Sequence, residues 1–414
     1  MKMNPARTYT LLSALLFFFF VTWSSSGSLL SIWLHQKVGL NASETGIIFS
    51  VLSCSALLSQ VCYGFIQDRL GLRKHLLWFI TSLLILTGPA YLMFSYLLKV
   101  NILLGSVFGG FFIGMTFNGG IGVLESFTER VARQSSFEFG RARMWGSLGW
   151  AVATFFAGLM FNINPDLNFL TASCSGLIFF CLLARLKLEA PAGMEIQETG
   201  TQKVTLRDAL HLLNLPRFWA LIFFVVGTCI YGVYDQQFPV YFSSQFPTLS
   251  EGNEMFGYLN SFQVFLEAAG MFCAPWLVNR IGAKKGLIFS GIVMALRMLA
   301  SGLVEGPLLI SVTKLLHAVE LPILLVAMFK YNSLNFDKRL SSTLYLVGFA
   351  CTSSIISSVL SPLAGISYEK FGFAQSYLIM GIMVFSTTFI SIFLLRSTKS
   401  STGPSYLQRN AVKY

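Results

Sequence analysis

Charged residues are scarce in this chain of 414 residues. Asp, Glu, Lys and Arg make up only 11% of it, whereas an average soluble domain carries about 25%. Hydrophobic residues make up 54%, and they are gathered into runs of about 20 residues, long enough to cross a bilayer as helices. The composition excludes an ordinary soluble domain and indicates a membrane protein with many spans.

The chain also has no motif typical of an enzyme. It contains no phosphate-binding loop and no nucleophile motif, and its cysteines lack the spacing of metal ligands or disulfides. All lie in apolar runs, where cysteine behaves as a small core residue. They are Cys54, Cys62, Cys174, Cys181, Cys229, Cys273 and Cys351. The sequence therefore predicts no catalytic residue, no metal site and no cofactor.

Acidic residues are fewer than basic ones, 18 against 29, which gives a formal net charge of +11. Such a charge is typical of proteins that bind nucleic acid, but its distribution argues against that partner. With both termini placed inside, only Lys37, Lys99 and Lys370 fall in outside loops. Because Lys and Arg collect on the cytoplasmic side of membrane proteins, the pattern predicts cytoplasmic N and C termini and a lipid bilayer as the surroundings.

Twelve spans are predicted from the apolar runs. Their approximate ranges are 10–34, 44–66, 75–98, 102–126, 141–162, 166–187, 217–241, 255–278, 285–303, 308–331, 341–366 and 374–396. The first lacks a small-residue cleavage site and is interpreted as an uncleaved span.

A polar stretch at 188–216 divides the chain into halves at 1–187 and 217–396, and residues 397–414 are expected to form a cytoplasmic tail. Within the stretch, residues 206–215 are expected to form a short amphipathic surface helix. The predicted fold class is an all-α membrane protein with twelve transmembrane helices in two pseudo-symmetric six-helix bundles.

A short repeat supports this division. The loop after the second span carries Gly64, Asp68, Arg69, Gly71, Arg73 and Lys74, and the loop after the eighth span carries Asn279, Arg280 and Gly282. A carboxylate at a helix end holds basic groups in one conformation, so these loops are predicted to form a gate. Asn279 is neutral, which predicts a stronger latch at Asp68. The pattern resembles the signature of the major facilitator superfamily, which implies alternating access to a site between two bundles.

Ionisable side chains nevertheless occur inside the predicted spans. They are Glu125, Arg143, Asp235, Glu267, Arg297, Lys314, His317 and Glu320. Each costs roughly 2.5 kcal/mol or more at the bilayer centre unless it finds a partner or water. Lys314, His317 and Glu320 share one helix face, which favours a proton or ion pathway over the alternative, a structural ion-pair network. Asp235 is expected to pair with Lys314, and Arg297 with Glu320 or His317, while Glu320 itself is expected in an apolar pocket.

Two groups of residues fit the needs of carbohydrate binding, an aromatic face for the ring and charged groups for the hydroxyls. Trp150 lies about two helical turns after Arg143, and with Glu125 they predict one half of a site. Gln263 and Glu267, one turn apart on the eighth span, predict the other half. An aromatic residue at the membrane interface is the alternative for Trp150, and the phenylalanines at 17–20 are interpreted as lipid-facing or packing residues.

Several stretches resemble the lactose permease family of oligosaccharide–proton symporters, and the resemblance covers nearly the whole chain. They are FEFGRAR at 137–143, DQQF at 235–238, KLLH at 314–317 and FKY at 329–331. The resemblance implies that Glu125, Arg143, Trp150, His317 and Asn118 bind sugar. It further implies that Glu320 carries the proton, that Arg297 tunes it, and that Asp235 and Lys314 form a charge pair between spans.

Departures from the galactoside members of that family bear on the substrate. Where those members carry a sugar-binding Glu and an Asn on the eighth span, this chain has Val264 and Glu267. A second charge pair is replaced by neutral Gly232 and Ser353. The stretches 258–264, 266–268 and 336–343 instead resemble the sucrose permease branch.

We therefore expect a proton-coupled disaccharide uptake carrier that favours sucrose, with a galactoside such as lactose, melibiose or raffinose as the alternative substrate. A channel, and a drug–proton exporter of the same fold, are remoter alternatives. The resemblance implies a bacterial inner membrane and a functional monomer.

Overall fold

The computed structural model describes residues 5–70, 73–135, 137–186, 214–336 and 346–396, and these ranges are built of helices. In the first bundle, span 1 comprises Pro5–Gly27, Leu30–Trp33 and the π-helical turn Leu34–Val38, span 2 is Ala42–Leu70, span 3 comprises His75–Ile85 and Thr87–Val100, span 4 comprises Ile102–Ile113, the π-helical turn Gly114–Gly119 and Gly120–Ser135, span 5 is Phe139–Ile163, and span 6 is Asp166–Arg185. In the second bundle, span 7 comprises Pro216–Thr228 and Ile230–Ser243, span 8 is Leu249–Ile281, span 9 is Ala283–Leu303, span 10 comprises Pro307–Leu315 and His317–Asn335, and spans 11 and 12 share the π-helical turn Leu346–Cys351 and the helix Thr352–Leu394.

The twelve-helix fold predicted from the apolar runs is confirmed. Spans 11 and 12 are two helices that follow each other directly and are separated by a kink at Gly372, where φ is +80°. An L-residue with a side chain rarely adopts that conformation, so glycine is needed at this turn. Several observed helices are longer than the predicted spans, as span 8 is. The reason is that polar residues continue these helices beyond the apolar segment. The linker at 188–213, the tail at 397–414 and the start of predicted span 11 lie outside the described residues.

Several spans are broken near their middles, and span 10 is an example. Its two helices meet at Leu316, directly before His317. Pro322 has no N–H to donate to the carbonyl of Ala318. Span 8 approaches that carbonyl closely, since a Cβ on Gly270 would lie 2.6 Å from the Ala318 oxygen. The break and the close approach together place the charged residues of span 10 beside span 8.

The two bundles contact each other at the end of the molecule remote from the chain termini. Span 2 meets span 11 there, and span 5 meets span 8, with glycine at the crossings. A Cβ on Gly46 would overlap the carbonyl oxygen of Ser361, and a Cβ on Gly158 would overlap that of Asn253. Backbones can pack this closely only where the side chain is absent. We call this contact region the closed end.

Polar side chains reinforce the closed end. The amides of Gln36 and Asn253 exchange two hydrogen bonds between the bundles, at 3.1 and 2.9 Å. Ser50 Oγ donates to the carbonyl of Ser358 at 2.5 Å. Hydrogen bonds between neutral groups are weak individually, so the contact is strong enough to hold one conformation and weak enough to separate.

The repeated loops lie at the opposite end, beside the chain termini. The side chain of Asp68 and the whole of Gly71 lie outside the described residues. Lys74 donates to the carbonyls of Leu183 and Leu186 at 3.2 and 2.6 Å, which ties the first loop to the end of span 6. Burial lowers the pKa of the Lys74 ammonium.

The second loop is held within its own bundle. Lys330 donates to Asn279 Oδ1 at 2.7 Å, and Arg280 stacks on the ring of Trp276. Gly282 connects spans 8 and 9 with φ of +90°, a conformation that favours glycine. Neutral Asn279 thus still has a cationic partner, although that partner comes from span 10 and not from the first half of the chain.

Candidate functional site

A cavity of about 720 Å³ lies between the two bundles. Its lining includes Phe256 and Asn260 of span 8 and Gly27 and Ser31 of span 1. Both bundles supply polar and aromatic side chains to its wall. From the first bundle come Trp23, Arg143, Ser147 and Trp150, and from the second come Tyr231, Asp235, Asn260, Gln263, Glu267, Lys314 and His317.

Arg143 and Glu125 form the ion pair that dominates the first bundle's side of the site. Arg143 Nε donates to Glu125 Oε1, and each side chain is about one-third exposed. The Arg143 guanidinium also lies 4.4 Å from the centroid of the Phe20 ring. These contacts leave other N–H groups of the guanidinium facing the cavity, ready for a ligand oxygen. Glu125 stands behind Arg143 and is not among the residues that line the cavity.

Trp150 lies in the cavity wall beside Arg143, where its ring can meet a ligand. Its indole meets that of Trp23 edge to face, with centroids 5.6 Å apart and planes at 80°. Trp23 stacks in turn on Phe117 at 5.8 Å. Phe20 also lines the cavity, which corrects the interpretation of that phenylalanine as a packing or lipid-facing residue alone. Trp23 was not predicted as a site residue, because an aromatic residue in span 1 is equally typical of lipid contact.

The ionisable residues of spans 7, 9 and 10 form one connected network. Arg297 is fully buried and donates to both oxygens of Asp235, at 3.0 and 3.2 Å. The same guanidinium contacts Glu320 Oε1 at 2.7 Å. Lys314 Nζ donates to Asp235 Oδ1 at 2.7 Å, and His317 Nδ1 lies 2.9 Å from Glu320 Oε1. A buried charge is stable only with such partners.

Two of the expected pairings are therefore confirmed, Asp235 with Lys314 and Arg297 with Glu320. The bidentate contact between Arg297 and Asp235 was not expected. The expectation that Glu320 lies in an apolar pocket is wrong, because Arg297 and His317 contact its Oε1. Its side chain is fully buried, and Oε2 has no hydrogen-bond partner among the described residues.

The network has an order from the cavity inward. Asp235, Lys314 and His317 line the cavity, whereas Arg297 and Glu320 lie behind them. The network thus joins side chains at the cavity wall to a fully buried acid.

Span 8 presents polar groups with unused hydrogen-bonding capacity. Gln263 is only 4% exposed, yet its Oε1 has no partner among the described residues. The carboxylate of Glu267 lines the cavity without an ion pair in the described part of the chain. Val264 lies beside them in the same wall. Asn118, by contrast, sits in the π-helical turn Gly114–Gly119 of span 4 and is not among the residues that line the cavity.

Solved structures with the same arrangement of helices are membrane transporters. The crystal structure of the nucleoside transporter NupG matches with a TM-score of 0.78 at 13% identity, over 94% of this chain and 100% of that chain. The D-xylose-proton symporter matches with a TM-score of 0.67 at 15% identity, over 96% and 99%. Such low identity shows the fold alone. This chain thus has the fold of these proteins, two helical bundles with a polar cavity between them.

Sequence comparison gives the family. The family model described as LacY proton/sugar symporter matches residues 2–405. The sucrose permease of Escherichia coli is 40% identical over 392 residues, 92% of this chain and 94% of that protein. The chain belongs to the LacY proton/sugar symporter family, so it is a sugar–proton transporter and not an enzyme.

The relatives differ in the sugar for which they are named. The lactose permease of Klebsiella oxytoca is 41% identical over 374 residues, 89% of this chain and 90% of that protein. The raffinose permease of Escherichia coli is 38% identical over 413 residues, 97% of each chain. These identities are too similar to separate sucrose from a galactoside.

Proposed function

We propose that this protein takes up a disaccharide together with a proton, and that it prefers sucrose to galactosides. The observation that carries the proposal is that residues suited to sugar binding and residues suited to proton transfer line the same cavity. Arg143 and Trp150 of the first bundle face the cavity from one side, and the wall opposite contains His317, which leads to buried Glu320.

The sugar is proposed to bind between these walls. Trp150 stacks on the glucosyl ring, while the Arg143 guanidinium, held by Glu125, donates to ring hydroxyls. Gln263 and Glu267 of span 8 contact the second ring, where their unused acceptors meet hydroxyl groups. The cavity volume of about 720 Å³ lies within the range of roughly 300–1,000 Å³ typical of small-molecule sites. Asn118 acts indirectly in this scheme, since it stands outside the cavity wall.

Glu320 is proposed to carry the proton. In the conformation of this structure Arg297 contacts Glu320 Oε1 at 2.7 Å. Proton uptake by Glu320 then requires Arg297 to turn fully to Asp235, which already accepts two of its N–H groups. Lys314 and His317 complete the network, so a shift of any one charge changes the partners of the others. Coupling requires only that the rearranged state prefers sugar and proton together.

The direction of opening follows from the predicted topology. With both termini in the cytoplasm of a bacterial cell, the closed end faces the periplasm. Transport then proceeds as the bundles separate at the closed end and approach at the repeated loops. The loop that contains Asp68 and the loop that contains Asn279 are proposed to form the cytoplasmic gate of a functional monomer.

The preference for sucrose rests on span 8. Val264 offers no hydrogen bond at the position where galactoside members carry a carboxylate, whereas Gln263 and Glu267 offer polar groups one turn apart. A site built for one set of hydroxyls rejects a sugar that leaves its buried polar groups unpaired.

The test is uptake of labelled sucrose and of labelled lactose and melibiose, in cells that lack other carriers for these sugars. We expect sucrose to accumulate against its gradient, with the galactosides accumulated at least about tenfold less, the effect of roughly one lost buried polar contact. Accumulation of lactose or melibiose without sucrose uptake would overturn the choice of sugar. A drug exporter would accumulate none of the three.

A further inference from the structure

We propose that Asn260 is a further sugar-contacting residue, and that Thr154 of the opposite bundle is the residue that positions it. The inference rests on the proposed function, because it assigns a new contact within the same cavity. Asn260 lies on span 8 and lines the cavity. Its Nδ2 donates to Thr154 Oγ1 of span 5 at 3.2 Å, so one hydrogen bond links the cavity wall with the contact between the bundles.

The Asn260 amide has capacity left for a ligand. An Asn side chain carries two N–H donors and one carbonyl acceptor, and the bond to Thr154 uses one donor. The second N–H and the Oδ1 have no partner among the described residues, and the side chain is only half-buried where it meets the cavity. A sugar hydroxyl both donates and accepts, so it matches this pair of free groups.

The position of Asn260 is where a bound ring would need it. Thr154 follows Trp150 by four residues, so the two lie about one helical turn apart on the same face of span 5, and Asn260 and Trp150 line the same cavity. Gln263 follows Asn260 by three residues and Glu267 follows it by seven, which places all three on one face of span 8. The buried, unpartnered Oε1 of Gln263 is independent evidence that this face serves a polar ligand.

Thr154 holds the amide in a fixed orientation. Thr154 is fully buried, and span 8 lies against it, since a Cβ on Gly257 would stand 2.8 Å from the Thr154 carbonyl oxygen. The hydroxyl is therefore fixed before the sugar arrives. A polar group that is already oriented binds a ligand more tightly, because no conformational entropy of that side chain is lost on binding.

This orientation exists only while the closed end is closed. Spans 5 and 8 belong to different bundles, so their separation removes Thr154 from Asn260. The sugar contact made by Asn260 is thus stronger in the present conformation than in one open at this end. A ligand shifts an equilibrium by its difference in affinity for the two states, so Asn260 links sugar binding to the position of the bundles.

The test is a double-mutant cycle on equilibrium binding of labelled sucrose to the purified carrier. Asn260→Ala is expected to weaken binding about tenfold and Thr154→Val about threefold, from the net worth of one or two hydrogen bonds. The double variant is expected to bind like Asn260→Ala alone, because Thr154 acts only through Asn260. Thr154→Ser keeps the hydroxyl and is expected to bind like the wild type.

Two controls separate this inference from other outcomes. Ser50→Ala removes a hydrogen bond of the closed end that involves neither Asn260 nor Thr154 and is expected to weaken binding less than Thr154→Val does. Arg143→Lys is expected to lose binding if the cavity is the sugar site at all. Wild-type affinity in Asn260→Ala, a double variant about thirtyfold weaker, or an equal loss in Ser50→Ala would each overturn the role of Asn260. Binding by wild type and Arg143→Lys alike would instead overturn the proposed function.

If Asn260→Ala is not recovered as folded carrier, the Thr154 pair decides the matter alone. Thr154→Val and Thr154→Ser differ in the hydroxyl that Asn260 uses, so a positioning role requires weaker sucrose binding by the valine variant only. Equal affinity of the two variants would contradict the inference.

Discussion

At the scale of single residues, the charge network owes its balance to Asp235. This carboxylate accepts from Arg297 and from Lys314, while Arg297 also contacts Glu320. Two cations thus face two acids, and Arg297 and Glu320 among them are fully buried. Removing one partner of a buried pair leaves an uncompensated charge, at a cost of roughly 3–5 kcal/mol.

The balance predicts that a paired change is tolerated better than a single one. Asp235→Asn alone leaves Arg297 and Lys314 with Glu320 as their remaining acid, so we expect a large loss of folded carrier in the membrane. Asp235→Asn combined with Lys314→Gln leaves one cation and one acid and is expected to restore much of it. The measurement is the amount and melting temperature of purified protein.

Glu251→Gln serves as the matched control for this pair of changes, because Glu251 is an exposed acid at the start of span 8. It is expected to change neither the yield nor the melting temperature. A double variant no more stable than Asp235→Asn would show that the acids and bases are not paired as the structure has them.

The planar guanidinium group of Arg143 leads to a second prediction about a single residue. Arg143→Lys keeps the charge but loses the planar set of donors that bonds Glu125 and a ligand together. We expect sugar affinity to fall at least about tenfold, the worth of one charge-assisted hydrogen bond. Equilibrium binding measures this directly.

Arg141→Lys is the control, because it makes the same substitution at an exposed arginine nearby. The Arg141 side chain is 75% exposed, and its contact with Glu138 at 3.5 Å is a surface ion pair, a kind that contributes little. The affinity of the Arg141→Lys variant for sugar is expected to stay at the wild-type value. Unchanged affinity in Arg143→Lys would contradict the placement of the sugar.

Part of this site was predictable from residue types alone. A buried acid and a buried base inside apolar spans need each other, so the pairing of Asp235 with Lys314 followed from cost. Trp23 and Asn260 were not predictable in the same way. An indole in span 1 and an amide in span 8 are compatible with lipid contact, packing or a cavity, and only the arrangement of the bundles decides among them.

At the scale of helices, the closed end depends on small residues where backbones cross. Gly158 is the clearest case, since its missing Cβ makes room for the backbone of Asn253 and Glu254. The contact involves main-chain atoms, which cannot move aside as a flexible side chain can. A larger residue at this position must therefore keep spans 5 and 8 apart.

Gly158→Leu is accordingly expected to block transport without destroying the sugar site. Uptake and exchange should fall more than about tenfold, while equilibrium sugar binding stays within about threefold of the wild type, because the bundles can no longer close at this end. Both are measured on the same preparation in lipid vesicles.

Gly122→Leu controls for the added bulk, because a Cβ on Gly122 meets nothing within 4 Å. It is expected to transport normally. Normal transport by Gly158→Leu would show that spans 5 and 8 need not approach this closely during the cycle.

At the scale of the whole molecule, the twelve spans and the two bundles followed from apolar runs and an internal repeat. Span length is fixed by bilayer thickness, which makes such runs easy to identify. The breaks at Leu316 and Cys229 were not anticipated, since no local signal marks them. Nor was the closed end, because contacts such as Gly46 with Ser361 join residues far apart in the sequence.

Proton entry with sugar is the central claim, and it is measured as external pH in a lightly buffered suspension of de-energised cells. On addition of sucrose, the account predicts a transient rise in external pH, because each sugar enters with a proton. Glu320→Gln is expected to bind and exchange sucrose without that rise and without uphill accumulation. Sucrose entry into wild-type cells with no change of external pH, or an unaltered rise with Glu320→Gln, would contradict the account.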